Sequence, residues 1–493
     1  DARLVRPDLL ALCGDLRHED PVAFRIEAVE SRRPRIELVP EDDDEAPRRC
    51  RSTGRKTGKG RRRQLHFAGS VQLAGGLGRC TAHPAARCRI LAPAGEVPFR
   101  DFRGRMAMDL ASMKIVVVGA ATGGAAAALL LARAGARVTV LERVESPRAV
   151  GAGIGLADNG LAVLESLGLD AALAAVARPV GAPRIVDGAG RPIFAPPGPS
   201  PRVSMVRRAD LQNLLLDAVC AETRIELRCG AEVVRAAPDG RVGFRAAGRE
   251  QELAADLVIG ADGVGSSVRD GGRFGARLAA PGIPYLRAVV SSAPALGEEA
   301  WTAAGLFGSF AVADGVYIYA SAGSRRTREA IAARDLGALA AAWEAAYPPS
   351  APLLAGVERF EDLLIHPVQR VDCAPWHDGR LVLVGDAAHA MAPNLGQGAN
   401  SALVDAAVLL DELRRRETLT AGLAAYEARR RPAVRRVAAA AARLGALAEW
   451  THPLARRVRD RGLMPLASRL ARPGDLARLL QEPRETLLAI PVG

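Results

Sequence analysis

At 493 residues the chain is too long for one ordinary domain and long enough to bury a large core. Hydrophobic residues are 49% and charged residues 25%, the balance of a mostly globular, soluble protein, and no apolar run is long enough to span a bilayer. The formal charge of +12 and pI of about 10.0 would suit nucleic acid, but the cations are almost all Arg (Lys stands only at Lys56, Lys59 and Lys114) and are scattered apart from one run near residue 60, so they read as compositional bias and no nucleic-acid partner is expected.

Residues 1–112 differ from the rest. Glu41 to Gln64, "EDDDEAPRRCRSTGRKTGKGRRRQ", is an acidic run followed by a basic one, without apolar periodicity. It reads as a disordered tail rather than a nucleic-acid arm on Arg61, Arg62 and Arg63. The chain begins with Asp, and Met113 immediately precedes the first strong strand, so residues 1–112 read as an upstream extension. Four of the seven Cys lie here: Cys13, Cys50, Cys80 and Cys88. Cys80, His83 and Cys88 fit no usual zinc spacing, no C-x-x-C pair exists, and no metal is expected. Cys220, Cys229 and Cys373 are scattered. No signal peptide opens the chain, and a reducing cytoplasm is the simplest compartment.

From Lys114 to Arg143 the chain reads "KIVVVGAATGGAAAALLLARAGARVTVLER". The pattern predicts a buried strand over Ile115–Val118, a helix over Ala125–Ala134 and a second strand over Val138–Leu141. This is the order of a dinucleotide-binding unit, in which free N–H groups at the helix start face a pyrophosphate. Gly119 permits the turn and Gly124 the close packing of helix on strand. Ala121 stands where a middle glycine is usual and adds one methyl toward the phosphates. Glu142, 23 residues after Gly119, can accept from ribose hydroxyls. Taken alone, the segment also fits a βαβ unit with no cofactor.

Further on, Asn159–Leu167 and Ala209–Val219 read as amphipathic helices, and Leu257–Ile259 and Leu381–Val384 as short buried strands. Residues 281–372 are β-rich, as in "GVYIYASA" (Gly315 to Ala322), and from about Leu419 the sequence is Ala/Arg/Leu helix. Two more motifs follow their strands. "ADLVIGADGVGSSVR" (Ala255 to Arg269) ends a strand in Ala261-Asp262-Gly263. "GRLVLVGDAAHAMAPNLGQGANSALVDA" (Gly379 to Ala406) ends one in Gly385-Asp386, with Gly396-Gln397-Gly398 opening a helix.

With these three ordered motifs the chain resembles the single-component FAD-dependent aromatic hydroxylases, of the p-hydroxybenzoate hydroxylase fold and salicylate hydroxylase-like, over about residues 113–445. The resemblance implies an α/β protein. A Rossmann-type FAD-binding domain would take 113–280 with 373–415, an interleaved β-rich substrate domain 281–372, and C-terminal helices 416–493. It implies that Asp386 holds the FAD ribitol and that the helix start Gly396, Gly398 and Asn400 faces the flavin pyrimidine edge, where reduced flavin carries negative charge. Asp262 would serve FAD and NAD(P)H positioning. Arg208, with Arg207 beside it, matches an FAD-contacting arginine. Arg148 to Leu156, including Gly153, matches a flavin-lining loop, and Arg143 follows the ribose-binding Glu142. Pro393 would sit near the flavin ring; Ala390 stands where a proline is usual. His389 reads as packing beneath the Gly385-Asp386 turn. Tyr317 and Tyr319 share a strand face and are candidates for a substrate pocket as much as for core. Arg287 and Asp314 could hold a substrate phenol or carboxylate.

The implied activity is a cycle in which NADH or NADPH reduces FAD, O2 forms the flavin C4a-hydroperoxide, and an aromatic small molecule, phenolic or polyketide-like, is hydroxylated. An isoprenoid-type epoxidase or reductase on the same fold, or a non-catalytic flavin-binding regulator, remains an alternative. A flavin halogenase is set aside, because Trp301, Trp343, Trp376 and Trp450 are far apart and Lys is nearly absent. A monomer or homodimer is expected.

Overall fold

The protein is described from a computed structural model, which covers residues 108–147, 152–181, 184–195, 202–280, 282–472 and 482–490, with 475, 479 and two upstream ribbons. The chain divides into units of 1–104 and 105–493. In the first, Arg25–Glu27 pairs antiparallel with Arg35–Glu37, and Gly69–Leu73 with Gly76–Cys80. Glu41 to Gln64, His83, Cys88 and Arg148 lie outside the described residues.

The second unit reaches back past Met113. A short 3-10 turn, Leu110–Ser112, precedes the first strand, Leu110 is buried in the core, and the Met108 N–H donates to the Arg416 carbonyl (3.1 Å). Residues 108–112 therefore pack with the second unit. A six-stranded sheet follows in the order Ile225–Cys229, Arg137–Glu142, Lys114–Val118, Leu257–Gly260, Leu381–Leu383, His377–Asp378. All neighbours are parallel except the last pair. Its central strands are short β-branched runs buried on both faces, as parallel strands covered by helices must be. The helix Thr122–Arg133 fills one face with Ala and Leu. At Gly123 only a small residue fits, because a Cβ there would come within 3.0 Å of Ala402 on the helix Gly398–Arg415.

The second sheet has seven strands, in the order Pro192–Phe194, Ile185–Asp187, Glu298–Trp301, Leu306–Val312, Gly315–Ser321, Pro284–Val290, Leu364–Pro367. Two of these strands come from 184–195, inside the stretch the sequence places in the FAD-binding part. The 281–372 segment also carries the helices Arg325–Ala332 and Leu336–Ala346. The alternation of side chains gives the sheet two faces. Leu286, Ala288, Phe307, Ile318 and Ala320 point to one and pack with Leu339, Trp343 and Tyr347. The other face carries Tyr285, Arg287, Glu299, Phe310, Tyr317 and Tyr319, which the register sets side by side. The 30-residue helix Leu419–Ala448 closes the fold and is followed by Pro453–Val458, Arg459–Leu463 and Met464–Leu470.

Candidate active site

Because Lys114–Val118, Leu257–Gly260 and Leu381–Leu383 are adjacent and parallel, the three motif turns at their carboxyl ends lie side by side. Such a row of turns is where an open α/β sheet binds its ligand. Gly119, at φ +96°, passes 2.6 Å (as a virtual Cβ) from the Ala261 carbonyl oxygen, so the first and second turns touch where only glycine fits. A Cβ on Gly124 would overlap the Gly119 carbonyl. Ala121 is different: it is the exposed N-cap of the helix, with extended backbone that any residue adopts.

Glu142 closes the first turn. Its Oε2 accepts from the Ala120 N–H (2.8 Å) and its Oε1 from the Val144 N–H (3.0 Å). Gln212 supports the same turn by donating to the Ala120 carbonyl (2.7 Å). It belongs to the "VRRADLQ" stretch, whose arginines alone drew attention in the sequence. Arg143 is exposed. Arg208 is exposed at the first position of the helix Arg208–Ala221, and its N–H donates to the Ala152 carbonyl (2.7 Å). Arg207 lies opposite Gly153 and 3.5 Å from Asp314, with its Nε buried and unpartnered. Asp314 itself is exposed, away from the tyrosine wall.

Asp262 accepts from the Val268 N–H through Oδ2 (3.2 Å), while its Oδ1 is buried without a partner. Burial pushes its carboxyl above the ordinary range, against hydrogen bonds from Ser266 and nearby backbone. Asp386 is exposed at the start of the short helix Asp386–His389, just after Gly385 in the left-handed region. Its carboxylate faces Gly398, and no atom comes within 4 Å of the Cβ position of Gly396. Asn400 is fully buried and saturated: Oδ1 accepts from Ala157 N–H (2.9 Å), and Nδ2 donates to the Gly155 (2.9 Å) and Gly396 (2.8 Å) carbonyls. It ties the helix start to the Gly153–Ala157 strand.

His389 lies beneath the turn, as its place in the motif suggests. Its Nε2 meets Asp405 Oδ2 at 2.5 Å, and its ring packs on Trp376 with centroids 4.9 Å apart. Asp405 Oδ2 also accepts from the Gly385 N–H (3.0 Å) and Oδ1 from Arg430 Nε (2.8 Å). Burial would raise the Asp405 pKa, but His389 and Arg430 outweigh it and hold it down at about 2.

The tyrosine-bearing face of the second sheet meets the third motif through one bond: Asn394, next to Pro393, donates to the Tyr285 hydroxyl (3.1 Å). Asn394, Tyr285 and Glu299 escape the sequence because nothing in spacing marks them. Tyr317 stands where Gly153 has no side chain, and Tyr319 lies over Gly308; a Cβ on either glycine would overlap the ring. The Tyr319 hydroxyl donates to Glu299 Oε2 (2.7 Å), and the Trp301 indole to Oε1 (2.6 Å). Burial raises the pKa of Glu299 against those two bonds, and burial with Glu299 raises that of Tyr319. Burial likewise raises Tyr317, with Arg287 opposing. Arg287 has no ion-pair partner among the described residues. No group of three or more metal-ligating side chains is present among the described residues.

The polar groups fit FAD: an orphaned Asp262 oxygen, the Glu142 carboxylate at the end of its strand, an exposed Asp386 and an open space over Gly396. The family model described as "FAD binding domain" matches residues 112–279 and 343–441, more than half of the chain. The chain is 33% identical over 386 residues to a 3-amino-4-hydroxybenzoate 2-monooxygenase of Streptomyces platensis, covering 72% of this chain and 93% of the relative. It is 28% identical over 369 residues to aurachin C monooxygenase/isomerase of Stigmatella aurantiaca, covering 72% and 95%. Among solved structures it matches 2-methyl-3-hydroxypyridine-5-carboxylic acid oxygenase with a TM-score of 0.61 and 26% identity, covering 72% of this chain and 95% of that one. The chain belongs to the FAD-binding-domain family of flavin-dependent aromatic monooxygenases, and FAD is its cofactor.

Proposed function

We propose that the chain hydroxylates an electron-rich aromatic small molecule carrying an anionic group, a phenol or aromatic acid, held between the Pro393 turn and the tyrosine wall. The observation that carries this reading is Arg287. It is a cation without an ion-pair partner among the described residues, set among Tyr285, Tyr317, Tyr319 and Phe310 on the face that Asn394 joins to the third motif. An aromatic ring suits stacking on such a wall, and a carboxylate or phenolate suits a guanidinium. An isoprenoid chain would leave Arg287 without a counter-charge.

When bound, FAD supplies the redox and oxygen chemistry, with NADH or NADPH as donor. The chain's own residues would then divide the work. Glu142 would take ribose hydroxyls, Asp386 the ribitol, and the unpaired N–H groups opening the helix Gly398–Arg415 the electron-rich edge of the flavin. Asp262 Oδ1 would accept a donor from cofactor or nicotinamide, and Arg208 or Arg207 would approach the cofactor from its helix start. The tyrosine wall and Phe310 would exclude water, without which reducing equivalents are lost as hydrogen peroxide. Glu299, which accepts from both the Tyr319 hydroxyl and the Trp301 indole, would orient Tyr319. The free thiols Cys220, Cys229 and Cys373 support a reducing cytoplasm. We propose a monomer or homodimer.

The test is direct. The purified flavoprotein, mixed anaerobically with NADH and then NADPH, should bleach, and faster with phenolic acids present. Oxygen uptake should then couple to a product heavier by one oxygen atom. No bleaching with either donor would sink the monooxygenase reading. Bleaching with every anionic aromatic rejected and neutral ones accepted would sink the Arg287 reading alone.

A further inference from the structure

The described chain exposes ten large apolar side chains, and five of them crowd one short stretch: Leu454, Val458, Leu463, Leu466 and Leu470. The stretch is one continuous helix built of Pro453–Val458, a π-turn at Arg459–Leu463, and Met464–Leu470. The spacings are four, five, three and four. In an unbroken α-helix the five-residue step would swing Leu463 about 140° from Val458. The π-turn bonds i to i+5 and brings the fifth residue back beneath the first. The irregular turn thus lines the five side chains up along one outward stripe.

The opposite side is pinned. Arg459 is fully buried, stacks over Trp301 with 5.3 Å to the ring centroid, and donates to the carbonyls of Leu447 (3.0 Å), Ala448 (3.2 Å) and Trp301 (3.1 Å). Met464 is buried beside it. Along one flank, Arg456, Arg457 and Arg461 line a cleft of about 720 Å³. The two acids of that cleft are already engaged, Asp187 with Arg191 and Asp460 with Arg459. The three arginines have no carboxylate partner among the described residues, and the Nε of Arg456 is buried without any acceptor.

We propose that this face seats the enzyme on an anionic lipid bilayer, with the leucine stripe in the interface and the arginines on lipid phosphates. An apolar stripe flanked by arginine is the makeup of an interfacial helix. Charge selects this occupant over a second copy of the chain, since a two-fold contact would set the patch against itself, arginines facing arginines. The seat is peripheral: no described helix is long and apolar enough to cross a membrane.

The experiment is co-sedimentation of the full-length, FAD-loaded protein with phosphatidylcholine vesicles, with and without phosphatidylglycerol. Binding is expected with the anionic vesicles only, and it weakens as salt rises. Arg457→Ala/Arg461→Ala lowers the partition coefficient by about thirtyfold. Leu463→Ser/Leu466→Ser lowers it by at least about tenfold. These side chains are exposed, so both variants keep the wild-type melting temperature and flavin spectrum. Absence of binding to anionic vesicles overturns the proposal, as does equal binding by the variants. A dimer in solution that Leu466→Glu splits, with no vesicle binding, overturns it in favour of self-association.

Discussion

Asp405→Asn probes the buried knot beneath the Gly385-Asp386 turn. The carboxylate is fully buried and serves three groups at once: the Gly385 N–H, His389 and Arg430. The amide keeps an acceptor but loses the charge, and Arg430, only 2% exposed, is left as an uncompensated buried cation. Breaking one side of a buried ion pair costs about 3–5 kcal/mol. A second route gives a figure of similar size. A folded pKa of about 2 against an ordinary 3.8 corresponds to about 2 kcal/mol of stability. The sign follows from a depressed acid: this stability is fully present above about pH 4 and is lost as pH falls toward about 2. Urea unfolding near pH 7 should therefore show a loss of about 3 kcal/mol, and the gap to wild type should narrow on acidification. Because Asp386 rides on the same turn, FAD should dissociate more readily. Asp405→Asn/Arg430→Met, which removes both charges, should recover most of the stability. A single-variant loss below about 1 kcal/mol, with FAD affinity unchanged, would refute the knot as the support of the turn.

Four further outcomes are expected. Ala121→Gly should tighten FAD binding modestly, read by fluorescence titration of the apoprotein; weaker binding would place the pyrophosphate elsewhere. Gly153→Ala should cost about 1–3 kcal/mol in thermal or urea unfolding and displace Tyr317, because its methyl would overlap the ring. Arg287→Ala should raise KM for an anionic aromatic substrate while leaving NAD(P)H-driven bleaching without substrate intact; an unchanged KM would remove Arg287 from the site. Cys373, buried with its thiol pushed up to about 11 mainly by desolvation, should resist iodoacetamide near pH 8 in the native protein, while the exposed Cys220 reacts; native labelling of Cys373 would show that its region opens.

Four strands of the first sheet were legible in the sequence because their signals are local, while its two edge strands, Ile225–Cys229 and His377–Asp378, were not. A run such as Ile115–Val118 followed by Gly119, or Leu381–Leu383 followed by Gly385-Asp386, declares strand and turn within ten residues. Helix bounds moved by only one to three residues: Thr122–Arg133 against Ala125–Ala134, and Asp158–Ser166 against Asn159–Leu167. The second sheet was less legible. Two of its strands, Ile185–Asp187 and Pro192–Phe194, are three residues each and pair with one another, and only Ile185–Asp187 joins them to the rest, through Glu298–Trp301 more than a hundred positions away. A three-residue strand carries no periodicity, so only the tertiary pairing reveals it. The roles of Glu299, Tyr285 and Asn394 are hidden for the same reason. Each is held by a partner that the sheet, not the sequence, brings near.

Asn400 and Ala121 show how far motif matching can carry a residue's role. The motif put Asn400 on the flavin; its three hydrogen bonds spend it entirely inside the protein, holding Gly396 against the Gly153–Ala157 strand. Ala121 runs the other way. The middle glycine of the fingerprint is missing, yet position 121 is exposed and has extended backbone that any residue adopts. The steric demands fall on Gly119, pressed to Ala261, and Gly124, pressed to Gly119. Both are retained. What the chain keeps is the part of the fingerprint that the fold itself requires, and what it varies is an exposed N-cap.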